Sequence, residues 1–231
     1  MTRTPLSQRQ LPHYTRGEDI ANMVTHIVGG GIGVVVLTIS VIIAALRGTA
    51  IDVVGCSIYG ASMVLLYAVS SVYHGLRPCY GKKVMQVIDH CTIYLLIAGT
   101  YTPILLSAVR QVSPVTAWAV FGVEWALVAF AAVFTAIDHN RFKVLSMICY
   151  LGMGWCVLFV LKPTYLALGP VAFGWLLAGG VSYTVGAVLY GLGGKKPILH
   201  TVFHLFPVCS RYIYPRQMPD RVIRRKQSGF K

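Results

Sequence analysis

The stretch HIVGGGIGVVVLTISVIIAAL, His26 to Leu46, contains no charged side chain, and beyond His26 its only polar side chains are Thr38 and Ser40. As a helix it rises about 30 Å at roughly 1.5 Å per residue, which matches the hydrocarbon thickness of a bilayer. Apolar and polar residues do not alternate along it, so it does not read as a strand of a membrane β-barrel. Backbone amides cannot go unpaired in lipid, and a run like this one satisfies them as an α-helix.

The pattern repeats on moving outward. Further apolar blocks lie near residues 52–75, 84–109, 114–137, 143–161 and 166–192; the first covers 20–46, and a last one begins near 197. The whole chain of 231 residues is 56% hydrophobic and only 12% charged, with a mean hydropathy of +0.67. Soluble domains carry about a quarter charged residues. Lipid is the medium that removes the need for a charged surface, so the chain reads as an all-α integral membrane protein. The expected architecture is a bundle of seven transmembrane helices over 20–210, with a polar segment at 1–19, a basic tail at 211–231 and a last helix that is short. The connections are tight, at Arg47–Ile51, Arg77–Lys83, Arg110–Ser113, Asp138–Phe142, Lys162–Tyr165 and Gly193–Lys196. They leave no room for an inserted soluble domain. No cleaved leader is expected, since the first apolar block is too long for a signal-peptide core and follows no small-residue cleavage pattern.

Basic residues orient the bundle. With the N-terminus inside, the inner segments hold Arg3, Arg9, Arg16, Arg77, Lys82, Lys83, Arg141, Lys143, Lys195 and Lys196, against Arg47, Arg110 and Lys162 outside. The tail is an exception, with seven basic residues from Arg211 to Lys231 on the outer side. It contributes much of the formal net charge of +13 and suits contact with anionic lipid; no fold or aromatic–basic interleaving points to nucleic acid. The cysteines form no CxxC pair, which argues against a thiolate zinc knot or a disulfide framework. Gly29 and Gly33, four residues apart, are expected to let another helix approach closely. Pro103, in the third block, is expected to mark a kink, because a mid-helix proline removes one hydrogen bond.

Polar and ionisable groups inside membrane spans are expensive and are functional suspects. Folding the spans back and forth puts nine of them in one layer near the inner face. Glu18, Asn22 and His26 lie at the start of the first span, Ser70 and His74 at the end of the second, Asp89 and His90 at the start of the third, and His200 and His204 at the start of the seventh. His200 and His204 are i and i+4, so their imidazoles project from one helical face, as in the histidine pair of a zinc helix. His74 could add a third nitrogen, leaving the fourth position of a catalytic zinc site for water. Ser70, one turn before His74, and Asp89 could hydrogen-bond a ligand or that water. Read singly, each feature has a plainer explanation: HxxxH as packing, His74 as an interfacial group, Asp89 as a helix cap. Their common depth favours a metal site. Glu124, alone in the middle of the fourth span, either hydrogen-bonds between helices or lines a cavity.

The motifs EDIANMVTH (18–26), SSVYH (70–74), IDHCTIYLLIAGTYTP (88–103) and HTVFH (200–204) occur in an order that resembles the progestin and adipoQ receptor superfamily, on its bacterial haemolysin III branch. The resemblance implies a seven-helix bundle with a cytosolic N-terminus, and Zn²⁺ held by His74, His200 and His204. It further implies that Ser70 and Asp89 lie beside the metal and its water, with Glu18, Asn22 and His26 close by. After Cys209 the resemblance stops and RYIYPRQMPDRVIRRKQSGFK follows; Pro197 to Ser210 is only about 21 Å of helix at roughly 1.5 Å per residue.

Two functions compete. One is a zinc-dependent hydrolase acting on a lipid amide or ester, as the resemblance implies from relatives linked to ceramide hydrolysis. The other is a non-catalytic membrane regulator or sensor in which zinc clamps the helices. A transporter is disfavoured by the lack of an internal repeat, and a pore by the confinement of polar groups to one face. The expected setting is a bacterial inner membrane, with membrane lipids as partners and cytolysis at most an effect of overexpression.

Overall fold

A computed structural model of the chain describes residues 4–193. His200, His204, the expected seventh span and the basic tail lie outside the described residues. Within them, every regular element is helical. α1 spans Arg16–Arg47, α2 Ala50–Gly75, α3 Tyr80–Pro103, α4 Pro114–Asp138, α5 Lys143–Gly154 and α6 Leu161–Gly193. Among the described residues, five stretches are long and apolar enough to cross a membrane: Arg16–Arg47, Ala50–Gly75, Tyr80–Gln111, Pro114–Asp138 and Lys143–Gly186.

Local chemistry sets the helix starts. Thr15 and Glu18 form a capping box at α1, each satisfying the other's backbone N–H. At α2 the Asp52 carboxylate accepts from the Thr49 N–H at 2.7 Å, and Pro114 at the first turn of α4 lacks the N–H that would be unpaired there. At Pro103, the expected site of a kink, the regular part of α3 ends. The chain continues through a wider π-turn over Ile104–Ala108 and a 3₁₀ turn over Val109–Gln111.

The packing is inverted relative to a soluble bundle. α1 turns Val24, Ile27, Val28, Val34, Val35, Ile39, Ile42 and Leu46 outward, while it buries Asn22, His26, Gly29, Gly33 and Ala44. An apolar exterior fits lipid as the surrounding medium. The buried glycines face α2: a Cβ on Gly29 would come within 2.8 Å of the Tyr67 ring, and one on Gly60 of α2 would lie 2.9 Å from the Leu37 Cα of α1. α3 is the most enclosed helix, contributing Tyr94, Ile97, Ala98 and Tyr101 to the main core, which Val128 and Ala131 of α4 and Tyr150 and Met153 of α5 complete.

One expected connection moves. Lys162–Tyr165 lies inside α6, not in a loop. The chain reverses instead at Gly169, whose φ of 74° and ψ of 173° belong to a region that only glycine occupies without strain. Pairings on either side prove the reversal. Trp155 Nε1 donates to Thr184 Oγ1 at 2.8 Å, and the rings of Tyr165 and Phe173 lie 5.5 Å apart. Both pairs are centred on residue 169, so the stretch Lys143–Gly186 is a hairpin with two antiparallel arms. A 3₁₀ segment over Cys156–Val160 joins α5 to α6 within the first arm.

Candidate functional site

The start of α1, the end of α2 and the start of α3 meet at one end of the bundle, and their polar side chains converge there. His74 is buried at the last turn of α2. Its Nδ1 lies 3.0 Å from Oδ1 of Asp19 on α1, whose Oδ2 accepts from Lys82 Nζ of α3 at 2.6 Å. One carboxylate thus links three helices. The His74 ring stacks nearly parallel to His26, with centroids 5.9 Å apart and planes 7° from parallel, and Tyr73 and Tyr14 pack at its edges. Ser70, one turn earlier, lies close to the Asp89 carboxyl of α3, and both line one cavity. Asn22 is fully buried, and its amide N and O have no hydrogen-bond partner among the described residues.

The expected layer therefore divides. His74, Ser70, Asp89, His26 and Asn22 gather between α1, α2 and α3. The Glu18 carboxylate is instead engaged by Thr15 at the start of α1, and its place in the network belongs to Asp19. His90 faces the other way: its Nδ1 donates to the Gln86 carbonyl, and its ring lies 3.9 Å from that of His139, beyond the end of α4. His200 and His204 lie outside the described residues. Among the described residues no three His, Cys, Asp or Glu side chains form a cage for a metal ion.

Sequence reasoning passed over Asp19 and Lys82, yet helical spacing carried a signal. At about 100° per residue, Asp19 projects roughly 20° from His26 and Glu18 roughly 80°. Asp19, Asn22, His26, Gly29 and Gly33 thus form the inward stripe of α1. Glu124 also finds its environment. It is buried in the middle of α4 near Cys156, its two carboxyl oxygens without a hydrogen-bond partner among the described residues, while the neighbouring Tyr101 hydroxyl donates to the Gly154 carbonyl at 2.6 Å.

A cavity of about 170 Å³ adjoins the polar cluster. His26, Ser70, Asp89 and Tyr67 line its polar part, and Leu66, Leu96, Ile97, Trp175 and Leu176 extend it between apolar walls toward the hairpin. The described part of the cluster offers His74 as a nitrogen donor with its second nitrogen already engaged. Ser70 and Asp89 stand beside it as a hydroxyl and a carboxyl.

The protein is thus a polytopic helical membrane protein with a buried histidine–carboxylate cluster at one end of its bundle. The profile of haemolysin-III-related proteins matches residues 14–214, and the chain belongs to that family. It is 40% identical to Hemolysin-3 of Bacillus cereus over 189 residues, covering 82% of this chain and 84% of that one. It is 37% identical to the Hemolysin-3 homolog of Bacillus subtilis (strain 168), covering 84% and 89%. A more distant relative is the human Monocyte to macrophage differentiation factor, 26% identical over 68% of this chain and 66% of that one. The superfamily read from the four motifs is borne out. The profile match runs five residues beyond Cys209, so the likeness extends slightly further into the tail than the apolar pattern does.

Proposed function

We propose that the protein is a zinc-dependent hydrolase of a lipid amide or ester, with its site near the inner face of a seven-pass bundle in a bacterial inner membrane. The observation that carries this reading is the cavity in which the Ser70–Asp89 pair and His26 open onto apolar walls. A scissile carbonyl could rest at such a polar end while an acyl chain occupies the apolar part, a common division of labour in ligand sites.

The donor chemistry fits zinc. His74 is a buried nitrogen ligand whose ring is fixed from behind by a carboxylate, the arrangement metal-binding histidines usually have. His200 and His204, at helical i and i+4 spacing, supply the other two nitrogens in this reading. What zinc supplies when bound is polarisation of a water and of the substrate carbonyl. The chain's own part is carried by Asp89, which takes the proton of the attacking water and returns it to the leaving amine or alcohol. Ser70 orients that carboxylate.

A second reading, in which zinc only clamps the helices, draws support from the Asp19 link between α1, α2 and α3. Lipid turnover separates the two. Zinc-loaded protein in liposomes of mixed acyl lipids should release free fatty acid, and Asp89→Ala should lower the rate by at least about a hundredfold, within the range for loss of a general base. Equal release by both forms, or none from the wild type, favours the clamp.

A further inference from the structure

We propose that Asp19 is a positioning residue that fixes the tautomer of His74, holding the proton on Nδ1 so that Nε2 carries the lone pair a metal needs. The inference rests on the zinc site proposed above and assigns the residue that prepares its described ligand.

The geometry is specific. Asp19 Oδ1 stands 3.0 Å from Nδ1, and its Oδ2 accepts from the Lys82 ammonium at 2.6 Å. An ammonium can only donate, so both carboxylate oxygens act as acceptors, and the hydrogen of the first contact lies on Nδ1. In the neutral imidazole that leaves Nε2 as the acceptor. The ring cannot easily flip to exchange its nitrogens: it is buried, stacked on His26 and flanked by Tyr73 and Tyr14. Lys82 is itself buried, so Asp19 is anchored from α3 while it orients a ring on α2. A carboxylate placed this way also makes the far nitrogen more basic, and losing such a partner typically weakens metal binding by about 10–100-fold. Glu18, one residue earlier, cannot substitute, because Thr15 holds its carboxylate.

A purely structural salt bridge would join the same helices without caring which imidazole nitrogen carries the proton, and this distinction sets the test. Full-length protein with ¹⁵N-labelled histidine is purified in detergent and freed of metal, and the His74 signals are assigned by their loss in His74→Gln. Zinc affinity is then measured by competition with a chelating dye for wild type, Asp19→Asn and Asp19→Glu. The wild type is expected to show the Nδ1–H tautomer of His74. Asp19→Asn is expected to show a mixture of tautomers and about 10–100-fold weaker zinc binding, and Asp19→Glu to keep the tautomer and recover most of the affinity. Should Asp19→Asn fail to fold, Asp19→Glu decides by itself: wild-type zinc affinity with the tautomer lost overturns the inference. So does equal zinc affinity in wild type and Asp19→Asn, or an unchanged tautomer. If the wild type takes up no zinc while Asp19→Asn still shifts the tautomer, the metal site fails but the control of His74 by Asp19 stands.

Discussion

His139 sits just beyond the end of α4 in a position that excludes its charge. Its ring is buried against His90, with Arg9 and Lys143 nearby and Asp138 as the opposing carboxylate. Burial, then His90, Lys143 and Arg9, push its pKa down to about 3. Arg9 closes the cluster from the N-terminal segment: its guanidinium donates to the Ile137 carbonyl and lies 3.9 Å from Asp138. The Thr4 N–H also reaches the Asp138 carboxylate, and Lys83 of α3 donates to the Ser7 carbonyl. Residues 4–9 are therefore strapped across this end of the bundle. The unfolded chain takes a proton on His139 below about pH 6.5, whereas the folded chain resists until about pH 3. Stability from this residue is thus full above pH 6.5 and is lost as pH falls through that window. Melting in detergent should show the wild type losing stability between pH 7.5 and pH 5, with a shallower decline in His139→Gln; parallel declines would remove His139 as the cause. Residue by residue, the site was partly legible. His74, Ser70, Asp89, His26 and Asn22 come together because depth in the membrane follows from span boundaries alone. Asp19 and the His90–His139 pair depended on which way each side chain points, and that is decided by rotation of the helices, which depth does not fix.

The helices themselves were legible because lipid demands long apolar runs and permits no unpaired backbone. The Gly29–Gly33 spacing announced a close helix approach, which α2 makes, and at Pro103 the regular part of α3 ends where a kink was expected. The reversal between the hairpin arms was misplaced because Lys162 looked like a loop charge. A lysine can keep its ammonium at the membrane surface while its stem lies along apolar neighbours, whereas Gly169–Pro170 is the pair that turns the chain. The glycine contact can be tested by contrast. A methyl group on Gly60 meets Leu37 at its Cα and Cβ, so α1 and α2 must separate, while one on Gly33 meets Val64 at an ordinary 3.4 Å. Gly60→Ala should cost about 1–3 kcal/mol, as overpacking usually does, and Gly33→Ala well under about 1 kcal/mol. Denaturation of the two variants in mixed micelles checks the order, and a Gly33→Ala loss equal to that of Gly60→Ala refutes the packing described here.

At the scale of the whole molecule, an apolar exterior surrounds a polar cluster confined to one end. A conducting path needs polar groups through the full depth, and between that cluster and the far end the buried residues of α3 and α4 are chiefly apolar, with Glu124 the charged exception. Despite the names of its bacterial relatives, the protein reconstituted in liposomes should therefore release little entrapped dye at low protein-to-lipid ratio. Rapid, saturable leakage that persists in His200→Ala/His204→Ala would point to a pore. The central claim is that the helix-end cluster around His74 and the distant HTVFH motif form one metal site, and zinc content tests it most directly. Elemental analysis of the detergent-purified full chain should find about one zinc per molecule, as a three-histidine site holds. That content should fall sharply both in His74→Ala and in His200→Ala/His204→Ala. Undiminished zinc in either variant, or none in the wild type, would contradict the account.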